Sequence, residues 1–197
     1  MVETVPRVPM LTCEAAKSAA SDVGLDPRLA GLNVFRVLLQ DPELARDLAS
    51  TLQRLLAADA ALDARLRELV IMRIGWRTAS MYEWTQHWRV ARRLQLPEAD
   101  ILAVRDWRNA ENLSAADKAV LAAVDETLEA GMISDSTWAA CTAHLPSPRE
   151  QIQLVIAIGN WTMFSQLLKS LRIPLEDGVN AWPPDGVAAP GYRPGGA

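Results

Sequence analysis

Histidine and cysteine are the scarcest chemistry-bearing residues of this 197-residue chain, at two each. Cys13 and Cys141 lie far apart, and neither belongs to a C-x-x-C pair. A disulfide framework or a cysteine-rich metal site is therefore not expected. One histidine with scattered carboxylates does not specify a metal centre either. Long apolar runs are missing as well. The longest, around Leu154-Val155-Ile156-Ala157-Ile158, falls far short of the roughly 20 residues of a membrane span. Nor is there a cationic excess: a formal charge of −4 argues against general affinity for nucleic acid or an anionic membrane. The opening MVETVPRVPM has no basic segment followed by an apolar one. No signal peptide is expected, and a cytoplasmic location is the default.

What the chain does have is helical punctuation from end to end. Asp26-Pro27 and Asp41-Pro42 each set an N-cap residue before a proline at the first helical position, opening helices near 27–39 and 42–57. Asp63 caps a helix over 64–77, where Leu66, Leu69, Val70 and Ile74 follow helical spacing. Further helices are expected over 79–94 and 97–107. Another follows Ser114, with Gly131 as its C′ residue, and a shorter one starts at Ser134 or Ser136. Ser147-Pro148-Arg149-Glu150 combines a capping box with a first-turn proline and launches a helix to about Leu171. No alternating run bounded by hairpin turns occurs, so the expected fold is all-α, a single-domain multi-helix bundle. A loose N-terminal arm is expected over 1–25 and the helical domain over 26–181. The Pro/Gly-rich segment 182–197 is expected to be an extended or disordered tail.

One stretch concentrates the scarce chemistry. In Ser80-Met81-Tyr82-Glu83-Trp84-Thr85-Gln86-His87, helical spacing puts Ser80, Glu83 and His87 on one face. A histidine near its ordinary pKa moves protons well at neutral pH, and a partly buried carboxylate can be tuned to do the same. Glu68, bordering an apolar stripe on the preceding helix, is costly to bury unless paired. The same residues also suit a satisfied polar patch on a helix face, and spacing leaves both readings open. Trp84 and Trp88 have core-like spacing, although they could wall an apolar pocket. Tyr82 falls off the Ser80–Glu83–His87 line and is expected in a core or interface. Arg73 is a candidate for a substrate carboxylate.

Arg67-Glu68-Leu69-Val70-Ile71 followed by Ser80 to His87 resembles the carboxymuconolactone decarboxylase and alkylhydroperoxidase D-like superfamily. Asn33-Val34-Phe35-Arg36, Gly159-Asn160-Trp161 and Leu175-Glu176-Asp177-Gly178 extend the resemblance over roughly 30–180. Peroxidase members carry a glutamate, then Cys-x-x-Cys-x-x-x-His. Here Glu68 and His87 match, while Ser80 and Glu83 stand where the two thiols would be. Thiol-based peroxide reduction is therefore disfavoured. The resemblance implies instead a cofactor-independent lyase or isomerase acting on a small cyclic or carbonyl-containing molecule. In it His87, Glu68 and Glu83 handle protons, and Ser80, Trp84 and Arg73 bind substrate. It also implies a homo-oligomer, a dimer, trimer or hexamer assembled through helices.

Overall fold

The structure is a computed structural model and describes residues 5–194. The outer ends of the expected arm and tail, 1–4 and 195–197, lie outside the described residues. Nine α-helices and no strand occur among the described residues, as the punctuation predicts. They are α1 (Cys13–Asp22), α2 (Asn33–Leu38), α3 (Pro42–Leu56), α4 (Ala64–Arg77) and α5 (Met81–Arg93). Then follow α6 (Glu98–Ala103), α7 (Ala115–Ala130), α8 (Asp135–Thr142) and α9 (Pro148–Ser170). The chain divides into two compact units.

The first unit is drawn from Met1–Ala58, Gln166–Val179 and Arg193–Ala197. Asp26 caps a single short 3-10 helix, Pro27–Gly31, and α2 starts only at Asn33, so the helix expected over 27–39 is two elements. Leu32, extended at φ −100° and ψ 128°, makes the break. α1 carries no proline or glycine signal, and its helix was not expected. Thr12 caps it by accepting from the Ala15 N–H, and Ala16 and Ala20 are its buried stripe. Two segments of the family resemblance meet here. The Asn33 side-chain amide donates to the carbonyls of Pro174 and Leu175, and the Glu176 carboxylate accepts from the Asn33 N–H at 2.9 Å.

The second unit comprises Asp59–Ser165 and Asn180–Tyr192. Its central element is α4, in which every residue from Leu66 to Gly75 is buried. Such a helix must carry its charges inward, so Arg67, Glu68 and Arg73 each require a partner. α4 passes to α5 through a Schellman turn. The Ser80 N–H donates to the Gly75 carbonyl at 2.8 Å and the Ala79 N–H to that of Trp76. Ala79 takes the left-handed conformation, φ 54°, where glycine is usual. Gly75 brings the two helices close, since a Cβ there would stand 3.1 Å from the Trp84 backbone nitrogen. α7 opens with the reciprocal Ser114–Asp117 capping box and closes on Gly131 at φ 77°. The Ser147 box on α9 also forms, at 2.8 and 3.2 Å.

Residues 180–192 form a strap without helix that is tied down at several points. The Trp182 N–H donates to Thr85 Oγ1, the Pro183 carbonyl accepts from the Trp84 indole, and Asp185 forms a two-pronged ion pair with Arg105 at 2.7 and 3.0 Å. Trp182 is buried and meets Trp76, Trp84 and Tyr192, with ring centroids 5.3–6.2 Å apart. Proline and glycine exclude regular structure from this stretch, but its aromatic residues give it apolar surface to bury.

Candidate active site

α5 has two faces of different character. Trp84 and Trp88 point into the aromatic cluster, and Glu83 and His87 turn away from it. Glu83, one turn before His87, puts its Oε2 at 3.7 Å from the imidazole Nε2. From α4, Glu68 Oε2 approaches His87 Nδ1 to 2.8 Å, and the other Glu68 oxygen accepts from Arg67 Nε at 3.1 Å. From α9, the Trp161 indole N–H donates to His87 Nε2 at 3.0 Å, its ring edge-on to the imidazole. Glu68 is wholly buried, and only 13% of the His87 side chain is exposed.

This geometry settles where the ring proton sits. An indole nitrogen donates and never accepts, so the Nε2 that receives it presents a lone pair. The imidazole proton therefore lies on Nδ1 and is donated to the Glu68 carboxylate, a charge-assisted bond that orients the ring. Burial works against charging His87. The charge and hydrogen bond of Glu68 and the charge of Glu83 outweigh it, with Arg67 opposing, and hold the imidazole pKa above its ordinary value. For Glu83, burial is the largest influence. It pushes the carboxyl up to about 7, His87 lowering and Glu68 raising it. The group thus combines an oriented imidazole with a carboxyl that changes charge near neutrality.

Ser80 occupies the N-cap position of α5, yet its hydroxyl makes no capping bond. Its Oγ is buried with no hydrogen-bond partner among the described residues, as is Asn160 Nδ2 beside Trp161. Tyr82 is buried. Two other expected site residues lie elsewhere. Arg73 does not await a substrate carboxylate: Asp125 takes its guanidinium in two bonds of 2.8 Å, and the Val104 and Arg105 carbonyls accept from its remaining nitrogen. Four of the five N–H groups of this buried arginine are thus committed to acceptors within the fold. Trp84 is fully buried in the aromatic cluster, its indole N–H committed to Pro183. Trp161 was missed as a site residue. Its one sequence signal is an indole, with Asn160 before it, interrupting an apolar helix after Gly159.

Among the described residues, no three His, Cys, Asp or Glu side chains are arranged to hold a metal ion. No helix among them is long and apolar enough to cross a membrane. Cys141 is buried, donates to the Ala119 carbonyl, and has its thiol pushed up to about 11, chiefly by burial. It is a poor source of thiolate.

Residues 42–126 match the carboxymuconolactone decarboxylase family, a segment that holds Glu68, Ser80, Glu83 and His87 but not Trp161. The fold is similar to that of an alkylhydroperoxidase AhpD core, an uncharacterized peroxidase-related protein from Ralstonia eutropha. There the TM-score is 0.70 at 14% identity, over 88% of this chain and 93% of that one. An uncharacterized peroxidase-related protein from Silicibacter sp. gives 0.67 at 15%, over 90% and 92%. A variant of the debrominase Bmp8, in complex with 2,3,4-tribromopyrrole, gives 0.64 at 14%, over 83% and 84%. At these identities the likeness is one of fold. No curated protein matches the sequence. The likeness to the carboxymuconolactone decarboxylase family thus lies in residues 42–126, and the solved structures share the fold.

Proposed function

We propose that this chain is an enzyme acting on small molecules, a cofactor-independent lyase or isomerase that moves protons next to a carbonyl group. The observation that carries the reading is the convergence of Glu68, Glu83 and His87 from two helices, at 2.8 and 3.7 Å. In a decarboxylation, the carboxylate leaves as carbon dioxide, its bonding pair forms an enolate, and an imidazolium at His87 delivers the proton to carbon. In an isomerisation, the same ring removes a proton beside the carbonyl and returns it at another atom. Glu68 orients the ring and offsets its charge, Glu83 is the second acid/base, and the free Ser80 hydroxyl suits a substrate oxygen. The similarity to a debrominase seen with a brominated pyrrole supports cyclic small-molecule chemistry on this fold; the substrate does not transfer.

Similarity to peroxidase-related proteins favours a second reading, antioxidant peroxide reduction. It is weakened by Ser80 and Glu83 at the thiol positions and by the buried, weakly acidic Cys141. A homo-oligomer remains part of the proposal: Ile152, Val155 and Ile156 line up exposed on α9, an apolar stripe suited to a second copy.

The test is a panel of keto acids, lactone acids and cyclic ketones in deuterated water, followed by NMR for deuterium uptake and carbon dioxide release. Turnover lost in His87→Ala and kept in the Cys13→Ala/Cys141→Ala double variant is expected. Identical behaviour of wild type and His87→Ala across the panel leaves a silent binding protein instead. Peroxide turnover that vanishes with Cys141→Ala would restore the peroxidase.

A further inference from the structure

His87 Nε2 has two neighbours with opposite requirements. The Trp161 indole N–H, 3.0 Å away, demands a lone pair there; the Glu83 carboxylate, 3.7 Å away, favours a proton. We propose that Trp161 is a positioning residue for His87, whose N–H occupies the Nε2 lone pair and opposes the proton that the two carboxylates around the ring favour there.

Four groups on three helices decide the protonation of this ring. Glu68 on α4 accepts from Nδ1 in either charge state, so it holds the neutral ring in the Nδ1–H tautomer and favours the imidazolium. Glu83 on α5 pulls a proton toward Nε2, and Arg67 on α4 opposes any positive charge nearby. α9 contributes Trp161, and this is the one direct hydrogen bond at Nε2 among the described residues. Protonating Nε2 would place two donors face to face, breaking the indole bond and leaving a buried N–H unpaired. Trp161 is itself almost wholly buried, as are Ile158 and Phe164 on the same helix, so the indole cannot simply swing into water. In the neutral ring the Nε2 lone pair is therefore shielded by the indole. A substrate proton reaches Nε2 only as the indole bond is given up, and the new N–H can then turn to Glu83. A tryptophan that served only to fill the core would leave the proton affinity of Nε2 to the carboxylates.

The consequence for catalysis rests on the reading of His87 as the proton-handling group. The competition at Nε2 does not, and it can be read with no substrate present. Uniformly 15N-labelled full-length protein is titrated by long-range 1H–15N NMR, with His144→Gln assigning the second histidine. Wild type is expected to show a protonated Nδ1 and a lone-pair Nε2 at neutral pH. In Trp161→Phe the neutral ring should keep its Nδ1–H, held by Glu68, and His87 should bind its second proton about threefold to tenfold more tightly, the worth of one neutral hydrogen bond. Because removing a buried indole can destabilise the fold, a second measurement uses the intact protein. The indole 1H–15N signal of Trp161 should move with the His87 titration midpoint. A wild-type neutral ring carrying its proton on Nε2, an unchanged midpoint in a folded Trp161→Phe, or an indole signal indifferent to that titration would each overturn the proposal. Absence of turnover with an intact Nδ1–H signature would sink the lyase reading and leave this one standing.

Discussion

Asp125 and the Glu68–Glu83–His87 group are both buried clusters of charge on the second unit, both partnered through α4, and both capped by a tryptophan N–H. They differ in how the carboxylate is compensated. Asp125 receives two bonds from Arg73, the Trp107 indole N–H at 3.0 Å, and ion pairs from Arg77 and Arg108. Burial would raise its carboxyl, but those hydrogen bonds and charges outweigh it and hold the pKa below the ordinary value. Glu83 instead has an imidazole at 3.7 Å and a second carboxylate nearby, and burial wins. Depth alone does not make a carboxylate reactive. A saturated one is a fastening, and an under-compensated one is poised to change charge.

The comparison can be broken at several points. The largest effect is expected at His87: alanine should lower proton exchange on a turned-over substrate by about 10²–10⁴-fold, far more than any accompanying loss of stability accounts for. A stability loss as large as the activity loss would make the two clusters the same kind of thing. Asp125→Ala should do the reverse. Stranding Arg73 in the core should cost about 3–5 kcal/mol in urea titrations, and any fraction still folded should keep its turnover.

Next in size is pH. Glu83 holds its proton to higher pH in the folded protein than in the unfolded chain. Its contribution to stability is therefore lost as pH rises from its ordinary 4.5 through about 7, on the order of 3 kcal/mol at most. Glu83→Gln should flatten that limb, and parallel curves for the two proteins would show that the carboxyl is not tuned. Asp125 has the opposite sign, stabilising above its ordinary 3.8 and losing that effect as pH falls through the lowered value. The smallest effect is local. Ala79→Gly should stabilise by about 0.5 kcal/mol through relief of the left-handed turn, read as a higher urea midpoint with no change in its slope.

How much of this could be read beforehand follows the range of each interaction. Capping boxes and N-caps act over three or four residues, so α4 is bounded as Asp63 predicts and α7 and α9 begin at their serines. The Ser80–Glu83–His87 face is also local, and Glu68 was legible through the superfamily pattern. What escaped depends on distant segments meeting. Arg73 looked available because Asp125 lies 52 residues away, and Trp161 is 74 residues from the imidazole it serves. The strap escaped for another reason. Proline and glycine report the lack of helix truthfully, but only packing decides whether Trp182 is loose or buried.

The gathering of Trp76, Trp84, Trp88 and Trp182, with centroids 5.3–6.3 Å apart, also gives the protein an optical signature. Indoles this close share their excitations, so the cluster should produce a paired circular-dichroism band that a lone tryptophan cannot. Trp182 is the member carried by the strap, so the band reports whether that segment is seated. Trp161 lies apart from the four and against an imidazole, where a ring that gains a proton dims the indole's emission. One unlabelled sample can thus report the strap by its dichroism and His87 by its fluorescence.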